Sequence, residues 1–226
     1  MRLALVRHGR TALNAGNRFQ GQSNAPLDPS GVSQARGIAR SLTPHRWSAV
    51  YSSTMLRAEA TADIIARRLG LPHTCLPELR ERDLGVLDGT DREEFARRHP
   101  DAVRRLLADP GFAPPGGESG EVALARLCRG LDRVVRAPGH PPDQTVLVVT
   151  HGGVLGLLAR ALPGPHDAGV VGNGRAACVD VEPTGDGDLS AALLLWDVEP
   201  SDCEHPPGTP PVPPSPLLIP KGNALT

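Results

Sequence analysis

Two short apolar runs in this chain each break off in a His-Gly pair. Residues 2–7 (RLALVR) lead into His8-Gly9, and residues 145–149 (TVLVV) lead through Thr150 into His151-Gly152. Apolar runs of this length, bounded by glycine, read as buried strands rather than helices. A helix-patterned segment follows each of them, and strands alternating with helices specify a doubly wound, mostly parallel sheet.

The segments between these runs fill in that plan. Ser30 stands as a helix N-cap before Val32, Ala35, Ile38, Ala39 and Leu42, which share one helical face. Ala49-Val50-Tyr51 reads as a strand closed by Ser52-Ser53. Residues 54–69 read as a helix with Ala58, Ala62, Ile65 and Leu69 inward, ended by Gly70 and Pro72. A third strand is expected near 73–76, helices within 91–109 broken at Pro100, and a long helix from Ser119 to Val135 with Ser119 as its cap. A helix over about 154–162 and two late strands near 175–182 and 190–197 complete the set. The expected fold is α/β: a three-layer, doubly wound, mostly parallel sheet with helices on both faces, a small helical cap over about 82–118, and a proline-rich C-terminal tail. The body is assigned to 1–198 and the tail to 199–226, where prolines accumulate and polyproline II character is expected. Its Leu217-Leu218-Ile219 patch suits docking on the body or on a neighbouring subunit, which leaves a homodimer open; a solvated tail is the favoured reading.

Charge narrows the functions. Lys+Arg total 24 against 25 Asp+Glu, so no global field recruits nucleic acid or an anionic membrane, and any anion must be held by a local arginine cluster. The first apolar run is too short for a signal-peptide core and no stretch reaches membrane-spanning length, so a cytoplasmic protein is expected. Cys75, Cys128, Cys178 and Cys203 form no Cys-x-x-Cys pair and no zinc spacing, and are expected to be reduced, mostly buried small side chains.

The chemistry concentrates at the strand ends. Ligands of open α/β sheets bind beyond the carboxyl ends of the strands, where His8 and His151 stand, each followed by a glycine that permits close approach. Arg7 precedes His8, and Arg57 lies in the first turn of the helix after Ser52-Ser53. Two planar guanidinium forks match the oxygens of a phosphate.

Together these residues resemble the histidine phosphatase superfamily, which includes cofactor-dependent phosphoglycerate mutases and many small phosphatases. The matching stretches are Leu5-Val6-Arg7-His8-Gly9 with Thr11 and Asn14, Arg18-Phe19-Gln20-Gly21, Pro26-Leu27, Gly31 and Gln34-Ala35. They continue through Ser52-Ser53, Arg57-Ala58, Thr61-Ala62, Leu79-Arg80-Glu81-Arg82, Gly85 and Gly89 to Gly116-Gly117-Glu118-Ser119 and Val149-Thr150-His151-Gly152-Gly153. They stand in family order over about residues 2–197. The resemblance implies that His8 is the nucleophile that becomes phosphohistidine, that Arg7, Arg57, Asn14 and His151 hold the phosphoryl oxygens, and that Glu81 is the proton donor. It implies a small phosphorylated metabolite as substrate, with no cofactor and no metal.

The implied chemistry is coherent in itself. A neutral imidazole attacks a phosphate dianion without charge repulsion, provided its other nitrogen is tied to a carbonyl. Arginines then stabilise the charge spread over the equatorial oxygens, and a carboxylic acid protonates the poor leaving group. Asp83 and Asp88 compete with Glu81 for that last role, and only the family register separates them. Gly153, where the mutases carry Asn, and the compact 82–118 segment favour hydrolysis over isomerisation. A mutase-type phosphoryl transferase and a non-catalytic phosphate-binding regulatory protein are the alternatives. Asn24, where many members have Asp, is expected to affect loop structure.

Overall fold

A computed structural model of the chain describes residues 1–162, 169–183 and 189–205, together with the backbone of 218–219. Among the described residues the strands are β1 (Arg2–Arg7), β2 (Trp47–Ser53), β3 (His73–Leu76), β4 (Thr145–Thr150), β5 (Ala176–Pro183), β6 (Leu189–Val198) and β7 (Leu218–Ile219). They form one sheet in the order β3-β2-β4-β1-β5-β6-β7. The β3-β2-β4-β1 half is parallel, whereas β5, β6 and β7 add antiparallel to β1 and to one another.

Consecutive apolar residues in β1 and β4 are explained by burial on both faces. Leu3 and Leu5 join Val146 and Val148 in a core under α6 (Gly120–Arg136) and α7 (Gly152–Ala161). Ala4 and Val6 join Leu147 and Val149 in a second core against α2 (Pro29–Ser41) and α3 (Leu56–Leu69). The expected three layers are thus present. A short α1 (Ala12–Ala15) interrupts the loop after β1. The cap carries α4 (Arg92–Arg98) and α5 (Pro100–Ala108), separated at the expected Pro100, and has a small core of its own built on Phe19, Leu84, Leu87 and Leu106.

Several local expectations are corrected. Asp28, rather than Ser30, caps α2: its side chain accepts from Gly31 N–H, and Pro29 takes the first helical position, where it lacks no needed donor. Helix α7 begins at Gly152, immediately after His151, because its first N–H groups have a partner described below. Ser119 does cap α6, accepting from Val122 N–H.

The cysteine expectation is overturned for two of the four. Cys178 on β5 and Cys203 are joined by a disulfide, with Cα atoms 5.5 Å apart. They lie 25 residues apart and meet because the turn after β6 brings residue 203 back beneath β5. Cys75 and Cys128 are free. Buried disulfides are commoner in oxidising compartments, so the cytoplasmic expectation rests on the apolar-run argument alone. The same turn shows that packing continues past residue 198. Glu204 accepts from Thr43 N–H and from the Trp47 indole, and Thr145 Oγ1 donates to the Cys203 carbonyl. The expected boundary at 198/199 therefore falls inside a packed segment that runs to His205. Most of the expected tail lies outside the described residues; the backbone of Leu218 and Ile219 pairs with β6 at Ser190 and Leu189. No described helix is long and apolar enough to cross a membrane.

Candidate active site

Strand register assembles the site. Parallel pairing sets Arg7 opposite Thr150, and His8 N–H donates to the Thr150 carbonyl at 3.0 Å. The residues one step further, His8 and His151, must then emerge side by side. Their ring centroids are 5.1 Å apart, in an edge-on arrangement.

His8 is held in one tautomer. Its Nδ1 lies 2.7 Å from the Gly9 carbonyl and Arg57 Nε–H donates to its Nε2 at 3.1 Å, so the proton is on Nδ1 and the lone pair on Nε2. Burial, then the charges of Arg57 and Arg7, push the His8 pKa well below its ordinary value. Burial, then Arg57, His8, Arg126 and Arg7, likewise push the His151 pKa well below its ordinary value. Both rings are neutral at physiological pH. His151 is fully buried, yet among the described residues neither of its ring nitrogens has a hydrogen-bond partner, an arrangement that costs free energy unless a polar group is to be received there.

Arg57, at the start of α3, is also fully buried. Its remaining N–H groups donate to the carbonyls of Ser23 and Gly21, at 2.7 and 2.8 Å, and burial brings its pKa down to about 10. Asn24 anchors the same helix, its side chain accepting from Leu56 N–H. Arg7 donates to the Val171 carbonyl from Nη1, while its buried Nε has no partner among the described residues.

Glu81 reaches the site through a chain of fixed contacts. Thr150 Oγ1 donates to the Leu79 carbonyl, and Arg126 from α6 donates to the carbonyls of Glu78, Arg80 and Glu81. The Glu81 carboxylate accepts from Gly153 N–H at 2.8 Å, Val154 N–H at 2.9 Å and Arg82 N–H at 2.8 Å. Two of these donors, Gly153 and Val154, open α7, so Glu81 satisfies N–H groups that have no partner within the helix. A Cβ at residue 153 would stand 2.5 Å from Glu81 Oε1, and one at residue 152 would stand 3.1 Å from Arg7 Nε. The two glycines after His151 therefore leave room for the two charged groups beside it.

A cavity of about 200 Å³ opens onto Arg7, His8, Asn14, Gln20 and Glu81 and extends to the cap. His151 and Arg57 stand behind this wall. Asp88 is turned elsewhere, accepting from Gly21 N–H, Ser23 N–H and Ser23 Oγ, and Asp83 accepts from Gly85 N–H. Of the three candidate carboxylates only Glu81 lines the cavity. Asn14 lines it too, though its Oδ1 already accepts from Thr11 N–H and Asn173 Nδ2.

Sequence reasoning missed Asn173, whose Nδ2 also donates to the His8 carbonyl; an Asn-Gly turn before a late strand carries no signal of that contact. It passed over the roles of Thr61, which accepts from Gly9 N–H, and Gln20, whose buried Nε2 has no partner among the described residues, although both stand in stretches that match the family. Among the described residues no three His, Cys, Asp or Glu side chains gather as metal ligands would.

Residues 3–187 match the family described as Histidine phosphatase superfamily (branch 1). The chain belongs to that superfamily. Among the relatives of this histidine phosphatase superfamily member is a metal-independent phosphoserine phosphatase of Arabidopsis thaliana, 36% identical over 171 residues, 74% of this chain and 71% of the relative. A bifunctional protein of Mycobacterium tuberculosis is 39% identical over 160 residues, 70% of this chain. The chain spans only 43% of the length of that relative. A solved mycobacterial glucosyl-3-phosphoglycerate phosphatase in complex with VO3 superposes with a TM-score of 0.76 at 30% identity, covering 88% of this chain and 99% of that one.

Proposed function

We propose that this protein is a metal-independent phosphomonoesterase that hydrolyses a small phosphorylated metabolite through a phosphohistidine on His8. The observation that carries this reading is a neutral His8, its proton tied to the Gly9 carbonyl, beside buried Arg7 and His151 atoms that lack partners among the described residues. These are donors waiting for a tetrahedral anion.

In the first step the His8 Nε2 lone pair attacks phosphorus, the ester P–O bond breaks, and Glu81 gives its proton to the departing alkoxide. Arg7, Arg57, His151 and Asn14 hold the phosphoryl oxygens as charge spreads over them. In the second step water attacks phosphorus, the N–P bond breaks, Glu81 takes the proton from water, and inorganic phosphate leaves. The fixed guanidinium groups provide the charge stabilisation that a metal supplies elsewhere, so activity is expected to survive EDTA. Support comes from the family, from phosphatases among its relatives, and from the steric limit at Gly153, which brings Glu81 against the helix start.

The decisive experiment is turnover of p-nitrophenyl phosphate by wild type and His8→Ala, with trapping of an acid-labile, base-stable phosphoryl group. Wild type turns over and labels; the variant loses on the order of 10⁴-fold or more and does not label. Labelling that persists in His8→Ala removes His8 from the role. A wild-type protein that binds phosphate without turnover is instead a phosphate-binding regulatory protein.

A further inference from the structure

Three of the residues that the proposed mechanism uses, Arg7, His8 and Asn14, are held by one turn, residues 171–175, between α7 and β5. The Arg7 main chain pairs with this turn in both directions: its N–H donates to the Arg175 carbonyl at 2.9 Å, and Gly174 N–H donates to the Arg7 carbonyl at 3.0 Å. The Arg7 side chain reaches the Val171 carbonyl at 2.7 Å. Asn173 completes the grip through its side chain, with Nδ2 donating to the His8 carbonyl at 3.0 Å and to Asn14 Oδ1 at 3.2 Å. The turn is itself anchored near the end of β6, where Asp197 Oδ1 accepts from Gly172 N–H at 2.7 Å.

These contacts fix the direction in which a chain of amides faces. A carbonyl can only accept, so the Asn173 atom beside the His8 carbonyl is the nitrogen. A backbone N–H can only donate, so the Asn14 atom 3.2 Å from Thr11 N is Oδ1, and it takes the second hydrogen of Asn173 as well. Asn14 Nδ2 then faces the other way and donates to Gln20 Oε1 at 3.3 Å, an oxygen that also accepts from Thr11 Oγ1 at 2.9 Å. With Asn173 removed, Asn14 Oδ1 keeps the Thr11 bond alone. The amide then loses less by turning its oxygen toward the cavity that Asn14 lines, where it would repel an anion.

We propose that Asn173 is a positioning residue for phosphoryl transfer: its one amide nitrogen sets both the main chain of the nucleophile and the donor face of Asn14, so that the two meet the same phosphoryl group. The proposal rests on the phosphomonoesterase reading above. His8 and Asn14 line the cavity and Asn173 stands behind them, so it acts through these two partners and not on the substrate.

The test is a double-mutant cycle read with p-nitrophenyl phosphate and phenyl phosphate. Asn173→Ala is expected to lower kcat about 10-fold with KM within about a factor of two, and equally for both esters, because it misplaces groups that hold the phosphoryl oxygens and leaves Glu81 alone. Asn173→Asp keeps the size but sets a carboxylate against two oxygens, and is expected to lose on the order of 10²-fold. In the Asn14→Ala background, Asn173→Ala is expected to lose clearly less than in wild type, since part of its effect runs through Asn14. Losses that multiply, a loss carried by KM, or full activity in Asn173→Ala or Asn173→Asp overturns the proposal. Calorimetric titration with vanadate, which takes the five-coordinate shape of the transition state, needs no turnover. A wild type that binds vanadate without hydrolysing either ester sinks the enzymatic reading. The positioning role then stands on vanadate binding about 10-fold weaker in Asn173→Ala, and equal binding removes it. Hydrolysis by wild type with unchanged kinetics in Asn173→Ala removes the positioning role and keeps the enzymatic reading.

Discussion

The two ends of the cavity are built on different principles. At the sheet end His8, His151 and Arg57 are almost wholly buried, and their positions follow from the β1–β4 register and from helix starts. At the cap end Leu107 and Val170 are 63% and 70% exposed, and the wall hangs on a small separate cluster around Phe19, Leu84, Leu87 and Leu106. The sheet end cannot shift without disturbing two large cores, whereas the cap can be rebuilt without moving a strand. On the proposed function, reaction geometry therefore belongs to the sheet and substrate choice to the cap.

Substitutions at each end can break or sharpen this division. Glu81→Gln keeps the size, removes the acid and gives up at least one accepted N–H bond, so it should lower the rate on the order of 10²–10⁴ for alkyl phosphates and much less for nitrophenyl esters. Equal losses for both classes would make Glu81 a structural residue. Gly153→Ala drives a methyl against Glu81 Oε1 and should cost about 10–100-fold, with the same dependence on leaving group, because misplacement of one group is enough. A loss independent of leaving group would mean that the helix start, and not Glu81, had moved.

At the cap end, Leu106→Ala should weaken the local cluster by about 2–3 kcal/mol. It should raise KM several-fold with kcat within about a factor of two. If kcat falls as far as in Glu81→Gln, the two ends are not separable. The smallest effect at neutral pH is on stability. Folded His8 and His151 resist protonation while the unfolded chain does not, so below about pH 6.5 the unfolded state binds more protons. Stability is then lost as pH falls, by about 1.4 kcal/mol per pH unit for each such histidine. His151→Gln should flatten that slope by one proton in denaturant titrations, and an unchanged slope would place the charge change elsewhere.

Much of this was legible in the sequence because it depends on local pattern. Consecutive apolar residues 3–6 and 146–149 announce strands buried on both faces, and two His-Gly endings on neighbouring parallel strands must converge. What was not legible depends on tertiary meeting. Nothing local fixes β5 and β6 as antiparallel, and no spacing announces that Cys178 and Cys203 meet across 25 residues. Helix α7 opens on two glycines, poor helix formers, because Glu81 accepts from its first N–H groups. Asp28 displaces Ser30 as the cap of α2 because Pro29 is suited to the first helical position. Proline count placed the tail at 199, but Glu204 and Cys203 hold that segment to the body.

The contact between Arg57 Nε and His8 Nε2 has a consequence for selectivity toward reagents. On the mechanism proposed above, the electron pair that attacks is masked at rest by the Arg57 guanidinium, and exposing it requires something that the guanidinium prefers. An oxyanion offers that exchange, whereas an uncharged acylating or alkylating molecule of similar size does not. Arrival of the right ligand and unveiling of the nucleophile are thereby one event, and neutral electrophiles meet a histidine that is already occupied.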